Sequence, residues 1–239
     1  MAVLSLRRKA RAVQGACDSL LDFLFLANWK VRLSLFVMGL GQLCYRQFAK
    51  GLMYLALEGA FIYDMVVLGG YYLVGLGTLG TVEADPWLGQ PGDNSVTLML
   101  MGLFTVFVIA LFVGLYVANV RGCYRTYRNG LAGLKPNSLK DDLMDLAGKN
   151  FPLAALFLPV IGVFVFSVIP IVMMVLIAFT NYGGSTVPPK LVSWVGWENF
   201  HTFFALGNVA PTFGRILGWN LLWAFSSTFL NYFVGLGLA

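Results

Sequence analysis

A chain of 239 residues that is 59% hydrophobic and only 11% charged, with a mean hydropathy of +0.77, is not a water-soluble globular protein, in which about 25% of residues are charged. The composition is that of an integral membrane protein. A net charge of +5 would suggest a nucleic-acid partner in a soluble chain, but the basic residues gather in two blocks, the pattern of membrane orientation rather than of a nucleic-acid surface.

In chain order, residues 1–50 open with Arg7-Arg8-Lys9 and Arg11, followed by LLDFLFLANWK. Asp18 and Asp22 interrupt the place where a signal peptide would carry its apolar core, so an amphipathic segment on the membrane surface is expected. Leu33–Tyr45 is apolar but too short for a comfortable crossing, and is expected to be interfacial or re-entrant. Gly51 to about Leu79 is the first expected span, with Lys50 at its edge. It contains Glu58 and Asp64, and a carboxylate inside a membrane is by default a functional candidate. Six residues apart, the two lie roughly 120° apart around a helix and do not form a paired-carboxylate site. The structural reading places Glu58 within reach of the interface and Asp64 against a neighbouring helix; the functional alternative is a proton relay.

Thr81–Ser95 holds two prolines, three acids and no base, and reads as an external loop. Val96–Val120 is an uncharged span. Arg121–Asn150 follows as a basic loop carrying Arg121, Arg125, Arg128, Lys135, Lys140 and Lys149. Within it Ser138 and Asp141 form an S-x-x-D helix start, and Leu139, Leu143 and Leu146 recur at helical spacing. A short amphipathic connector helix on the membrane surface is predicted there. Phe151–Tyr182 is uncharged and long enough to cross about 30 Å of hydrocarbon. Pro152 sits near its start, while Pro159 and Pro170 lie inside, as a membrane helix tolerates. Beyond it, Trp197, Phe200 and Phe204 share one face of a predicted interfacial helix, beside the single histidine, His201. Thr212–Ala239 is the fourth span, anchored by Arg215 and dotted with Asn220, Ser226, Ser227 and Asn231.

The loops set the expected topology. Eight Lys/Arg fall in the first fifty residues, none in 81–95, six in 121–150 and one in 183–211. The N-terminus and the 121–150 loop are therefore expected on the cytoplasmic side of the cell membrane, and 81–95 and 183–211 outside. Cys17, Cys44 and Cys123 all fall on the expected cytoplasmic side, with no metal-type spacing, and read as reduced thiols of minor structural weight.

Chemistry is not encoded in any recognisable form. There is no G-x-x-x-x-G-K-[ST] phosphate loop and no H-E-x-x-H, and one histidine cannot build a His-cluster metal site. No catalytic, metal or cofactor-binding residue is assigned, and no cofactor is expected. The reading is of an all-α polytopic membrane bundle, about four transmembrane helices with interfacial helices, that is not an enzyme.

Three stretches carry a pattern: LPVIGVFVFSVIPIVMMVLIAFTNY, then WVGWENF, then RILGWNLLWAFSSTFLNYFVGLGLA. Together they resemble the permease subunits of binding-protein-dependent sugar ABC transporters, most closely the larger permease of the maltose/maltodextrin branch. In that family a span ending in Phe-Thr-Asn-Tyr is followed by a Gly-x-x-Asn-Phe segment, here Gly196–Phe200, and the next helix begins near a Trp-Asn pair, here Trp219-Asn220. The resemblance is specific over about 151–239 and looser over 30–150, where MGLGQ…KGLMYLALE also fits. It implies an oligosaccharide importer working by alternating access, with a second permease subunit, cytoplasmic ATP-binding subunits and an extracytoplasmic sugar-binding protein as partners, besides membrane lipid. On this view 1–50 is an interfacial region, 51–150 holds accessory helices, and 151–239 begins the transport core. The family's Glu-Ala-Ala…Gly coupling loop lies beyond the counterpart of 212–239 and is not found, so the sequence is expected to be the N-terminal portion of a longer chain. Most of the family's sugar-lining positions also belong to later helices, and no substrate-binding residue is carried over. The rival readings are a non-transporting assembly or scaffold protein, and an ion-coupled carrier using Glu58 and Asp64.

Overall fold

The computed structural model describes residues 28–238 apart from Pro86, Leu88, Gln90, Pro189 and Asn208. Among them are eight helices and no strand: α1 Trp29–Phe36, α2 Leu40–Cys44, α3 Phe48–Thr78, α4 Ser95–Leu131, α5 Leu139–Ala147, α6 Phe151–Ile177, α7 Glu198–Ala205 and α8 Val209–Leu238. Four of these, α3, α4, α6 and α8, are long and apolar enough to cross a membrane. The protein is all-α and polytopic, as its composition requires: in hydrocarbon only a helix satisfies every backbone group within its own segment. The amphipathic segment expected near the N-terminus, and Cys17 with it, lie outside the described residues.

The chain forms two compact units. The first comprises the described residues up to Thr78 together with Val96–Ile171. Here α3 and α4 pack closely where side chains are small. A Cβ at Gly75 would meet Leu98, and one at Gly102 would meet Leu76 and the Tyr72 carbonyl. Phe61 stacks on Phe112 with ring centroids 3.7 Å apart, and Phe107 on Phe164 of α6 at 5.7 Å. Without a hydrophobic force between helices in lipid, such close van der Waals contact is what holds them together.

Two spans carry a π-turn. In α3 it covers Met65–Gly69, and the Gly70 N–H reaches back to the Met65 carbonyl. In α6 it covers Phe164–Val168, with the Ile169 N–H bonded to the Phe164 carbonyl. Pro170 follows directly. It has no N–H to return to the preceding turn, and widening that turn is one way to absorb the mismatch. Pro152 occupies the first turn of α6, where a missing donor costs little.

One boundary differs from expectation. The basic loop predicted from Arg121 begins eleven residues later, at Ala132, because α4 runs unbroken to Leu131. At 1.5 Å per residue its 37 residues span roughly 55 Å, well beyond the hydrocarbon thickness. The extension holds its helical form because Cys123 and Thr126 are buried on one side of it, which leaves Arg121 and Arg125 on its exposed side.

The second unit comprises Leu79–Ser95 and Val172–Ala239. Asp93 closes the 81–95 loop by accepting from the Thr81 and Val82 N–H groups at 2.8 and 3.0 Å. The Ser95 hydroxyl accepts from the Val192 N–H at 3.0 Å.

Candidate functional sites: a polar hub and an aromatic clasp

The apolar run 33–45 is not one helix. It breaks at Val37–Gly39, and the two short helices α1 and α2 fold back as a hairpin. Gly39 adopts φ +86°, the left-handed region that glycine enters without cost. A side chain there would also run into the Gly51 carbonyl.

Asn119 of α4 holds this hairpin. It is completely buried, and each end of its amide is used. Its Oδ1 accepts from the Gly39 N–H at 3.2 Å and from Gln42 Nε2 at 2.7 Å. Its Nδ2 donates to Ser34 Oγ at 3.0 Å, and its backbone carbonyl accepts from Gln42 Nε2 at 3.0 Å. The Ser34 hydroxyl donates to Gln42 Oε1 at 3.3 Å. Tyr116, one turn earlier on α4, donates its hydroxyl to the Leu35 carbonyl. A closed network of this kind fixes register, since any slip would strand a buried polar group.

Glu58 belongs to the same assembly. It is half-buried, and its Oε2 accepts the Met38 N–H at 2.9 Å, so the carboxylate caps the hairpin turn. Asp64 lies six residues on, half-buried at the entrance to the π-turn, with no side-chain hydrogen bond among the described residues. The two carboxylates are not brought together.

Beyond the hub, Gln47, Lys50 and Asn137 build a second polar layer. Gln47 Nε2 and Lys50 Nζ both donate to the Asn137 carbonyl, at 2.8 and 2.7 Å, and Lys50 pairs with Asp142 at 2.5 Å. This ties the start of α3 to α5. The predicted cap of α5 is present in full. Ser138 Oγ accepts from the Asp141 N–H, and Asp141 accepts from the Ser138 N–H at 2.7 Å. That backbone donor, then the Ser138 hydroxyl, hold the Asp141 carboxyl below the usual carboxylate range. Tyr45 packs against Val31 and Cys123, its hydroxyl buried without a partner among the described residues; burial first, then the Cys123 thiol, push its phenol up to about 12.

In the second unit the family-type motifs fold onto one another. After α6, the Phe179 carbonyl accepts from the Val195 and Gly196 N–H groups at 2.9 and 3.1 Å. Thr180 bridges to Trp194, and Asn181 exchanges bonds with Ser193. Asn199 Nδ2 closes the clasp, donating to the Ala178 and Thr180 carbonyls at 2.9 and 2.7 Å. Phe179 lies edge-on to Trp197 at 5.1 Å and beside Phe200 at 5.2 Å. Phe-Thr-Asn-Tyr and Gly-Trp-Glu-Asn-Phe are thus two halves of one structure. His201 is exposed on α7, and among the described residues no cluster of His, Cys, Asp or Glu could hold a metal ion. Cys44 and Cys123 are free thiols.

Sequence reasoning missed Asn119, Gln42 and Ser34. The available signal was an asparagine one residue from the end of an otherwise apolar span, together with the Gly-Gln pair of MGLGQ.

No protein-family model matches the chain, and no solved structure matches it. Curated relatives do. It is 35% identical over 202 residues to the maltodextrin transport system permease protein MdxF of Bacillus subtilis, covering 83% of this chain and 44% of that protein. It is 30% identical over 211 residues to the maltodextrin transport system permease protein MalC of Streptococcus pneumoniae, covering 87% and 46%. It is also 30% identical over 205 residues to the galactooligosaccharides transport system permease protein GanP of Bacillus subtilis, covering 84% and 47%. The chain spans about half the length of these relatives. Its motifs, its four span-forming helices and these alignments agree: the chain belongs to the family of sugar ABC transporter permeases.

Proposed function

We infer that this chain serves as membrane permease in an ATP-driven importer of oligosaccharides of the maltodextrin type, doing no bond-breaking chemistry itself. The observation that carries the reading is the 35% identity to a maltodextrin permease over 83% of the chain. In this reading cytoplasmic ATPase subunits supply the energy, a second permease subunit completes the pathway, and a sugar-binding protein delivers substrate from outside. The permeases alternate between inward- and outward-facing forms. The loop charges support an N-terminus inside the cell, which puts α5 at the inner surface and the Phe179–Phe200 clasp at the outer one. The clasp is then a rigid platform near the docked binding protein, and the π-turn with Pro170 a bend within the moving core. Residues 51–150 act as accessory helices beside a transport core that begins at 151.

The bond from Met38 N–H to Glu58 argues against an ion-coupled carrier, since it gives that carboxylate a structural task. The test is uptake of labelled maltodextrins in cells expressing the gene with the ATPase and binding-protein genes. Uptake is expected to vanish with a hydrolysis-dead ATPase and to survive a protonophore at maintained ATP. It is also expected to survive Glu58→Gln, whose amide oxygen still accepts the Met38 N–H, and Asp64→Asn. Uptake that ignores the ATPase and collapses with the proton gradient would replace the importer with the carrier.

A further inference from the structure

A cleft of about 60 Å³ opens beside the second polar layer, lined among others by Lys50 and Tyr54 of α3, Arg125 and Asn129 of α4, and Asn137 and Asp142. At roughly 15 Å³ of such space per water molecule it has room for a few waters or one small polar group, and not for a sugar.

Its electrostatics are specific. Lys50 is committed to Asp142 and to the Asn137 carbonyl, and the Asn137 amide faces Asp142 at 3.4 Å. That pair cancels within the wall. Arg125 remains, an exposed guanidinium with no ion pair or hydrogen bond among the described residues. Asn129 follows one helical turn later, and Tyr54 sits on the opposing helix. Among the described residues these three are donors without side-chain partners, around a single uncompensated positive charge. The complement is a small monoanion rich in acceptors, and a guanidinium fork fits a phosphate oxygen pair best.

The location narrows the ligand further. Arg125 lies just past Val96–Val120, where α4 leaves hydrocarbon and its first charges begin. Leu131, Leu134, Leu143 and Leu146, which flank the cleft in sequence, are exposed apolar side chains that a free anion would not need. A phosphodiester bearing acyl chains uses both features.

We propose that this cleft binds the phosphate of an anionic phospholipid headgroup, with Arg125 as the principal contact and Asn129 and Tyr54 as supporting donors. The site anchors the junction of α3, α4 and α5 to the membrane interface, whether or not the chain transports sugar.

The purified full chain in detergent, titrated with phosphatidylglycerol and with phosphatidylcholine of the same acyl chains, tests this by native mass spectrometry. One phosphatidylglycerol is expected to be retained in preference to phosphatidylcholine. Arg125→Gln should lower that retention roughly tenfold, the scale of one charge-assisted hydrogen-bonded contact, without lowering the melting temperature. Arg125→Lys should keep part of the affinity. Arg121→Gln, on the same helix but outside the cleft, should change retention less than about twofold. Equal retention of the two lipids would overturn the proposal. So would an Arg121→Gln loss as large as that of Arg125→Gln, which would mean diffuse charge attraction. Displacement of the lipid by millimolar inorganic phosphate would reassign the cleft to a soluble anion.

Discussion

Helices α4 and α8 are close in composition and opposite in circumstance. Both are apolar, 30 residues or longer, and both carry asparagine inside the hydrocarbon stretch or at its edge. In α4, Asn119 is fully buried and spends its whole amide on partners 77 to 85 residues away in sequence. In α8 no residue is buried. Ser227 and Thr228 only bond back to the Ala224 carbonyl at 3.2 and 2.8 Å, and Asn220 and Asn231 have no side-chain partner among the described residues. A polar side chain in a membrane helix must find a partner or a wet surface. α4 has found its own within the chain. The polar groups of α8 are available to something else, and in the importer reading that is a pathway or a further helix.

The comparison can be broken most sharply at Asn119. Replacing it with leucine takes the side-chain acceptor from Gln42 Nε2 and the Gly39 N–H and the donor from Ser34 Oγ, while the Ser34–Gln42 bond and the Gln42 bond to the residue-119 carbonyl remain. A loss of about 3 kcal/mol is expected, between the soluble-protein cost per stranded group and the smaller value typical of membrane helices. It should appear as a clear fall in melting temperature in detergent. Gly39→Ala tests the same hinge through the backbone. It adds a strained left-handed residue and a clash with the Gly51 carbonyl, costing roughly 2 kcal/mol.

Lys50→Met should have a smaller effect. It removes an ion pair whose lysine is nearly buried and whose aspartate is about half exposed, so solvent already screens part of it. About 1 kcal/mol is expected, with α5 becoming more accessible to hydrogen exchange. Asp141 gives a pH-dependent signature. Its carboxyl is held low in the folded chain, so its support for α5 is present above the ordinary carboxylate range and is lost as pH falls through its own lowered value. Exchange protection of 139–147 should therefore decline on acidification, and Ser138→Ala, which removes the hydroxyl but keeps the backbone donor, should weaken that dependence. Tyr45 works in the opposite sense. Its raised phenol contributes fully below pH 10 and loses that contribution as pH rises toward about 12.

Asn220→Leu and Asn231→Leu mark the bottom of the scale. With no partner to strand, each should shift the stability of this chain by less than about 0.5 kcal/mol. On the importer reading, the same changes are expected to reduce uptake. A large stability loss in the isolated chain would show that α8 has partners here after all, and would erase the contrast with α4.

Much of this was legible before the fold. The four spans lie within a few residues of the observed helices except at the basic end of α4. There the charges of Arg121, Arg125 and Arg128 suggested a loop, yet burial of Cys123 and Thr126 on the opposite face keeps the helix going. The cap at Ser138 was readable because it closes within four residues. Glu58 was singled out for its charge alone, while its purpose, capping the turn at Met38, required the hairpin to be seen.

What the sequence determined by itself was the solvent and the segments that live in it. Uncharged runs long enough to cross a bilayer can only be helices there, and local signals such as prolines, caps and the Phe-Thr-Asn-Tyr motif are complete within a few residues. What only the tertiary structure decided was pairing. It joined Asn119 to Ser34 and Gln42, Glu58 to Met38, Lys50 to Asp142, and Asn199 to the end of α6. Each of these bonds spans at least 19 residues of chain, and its energy depends on a distance that no local pattern encodes.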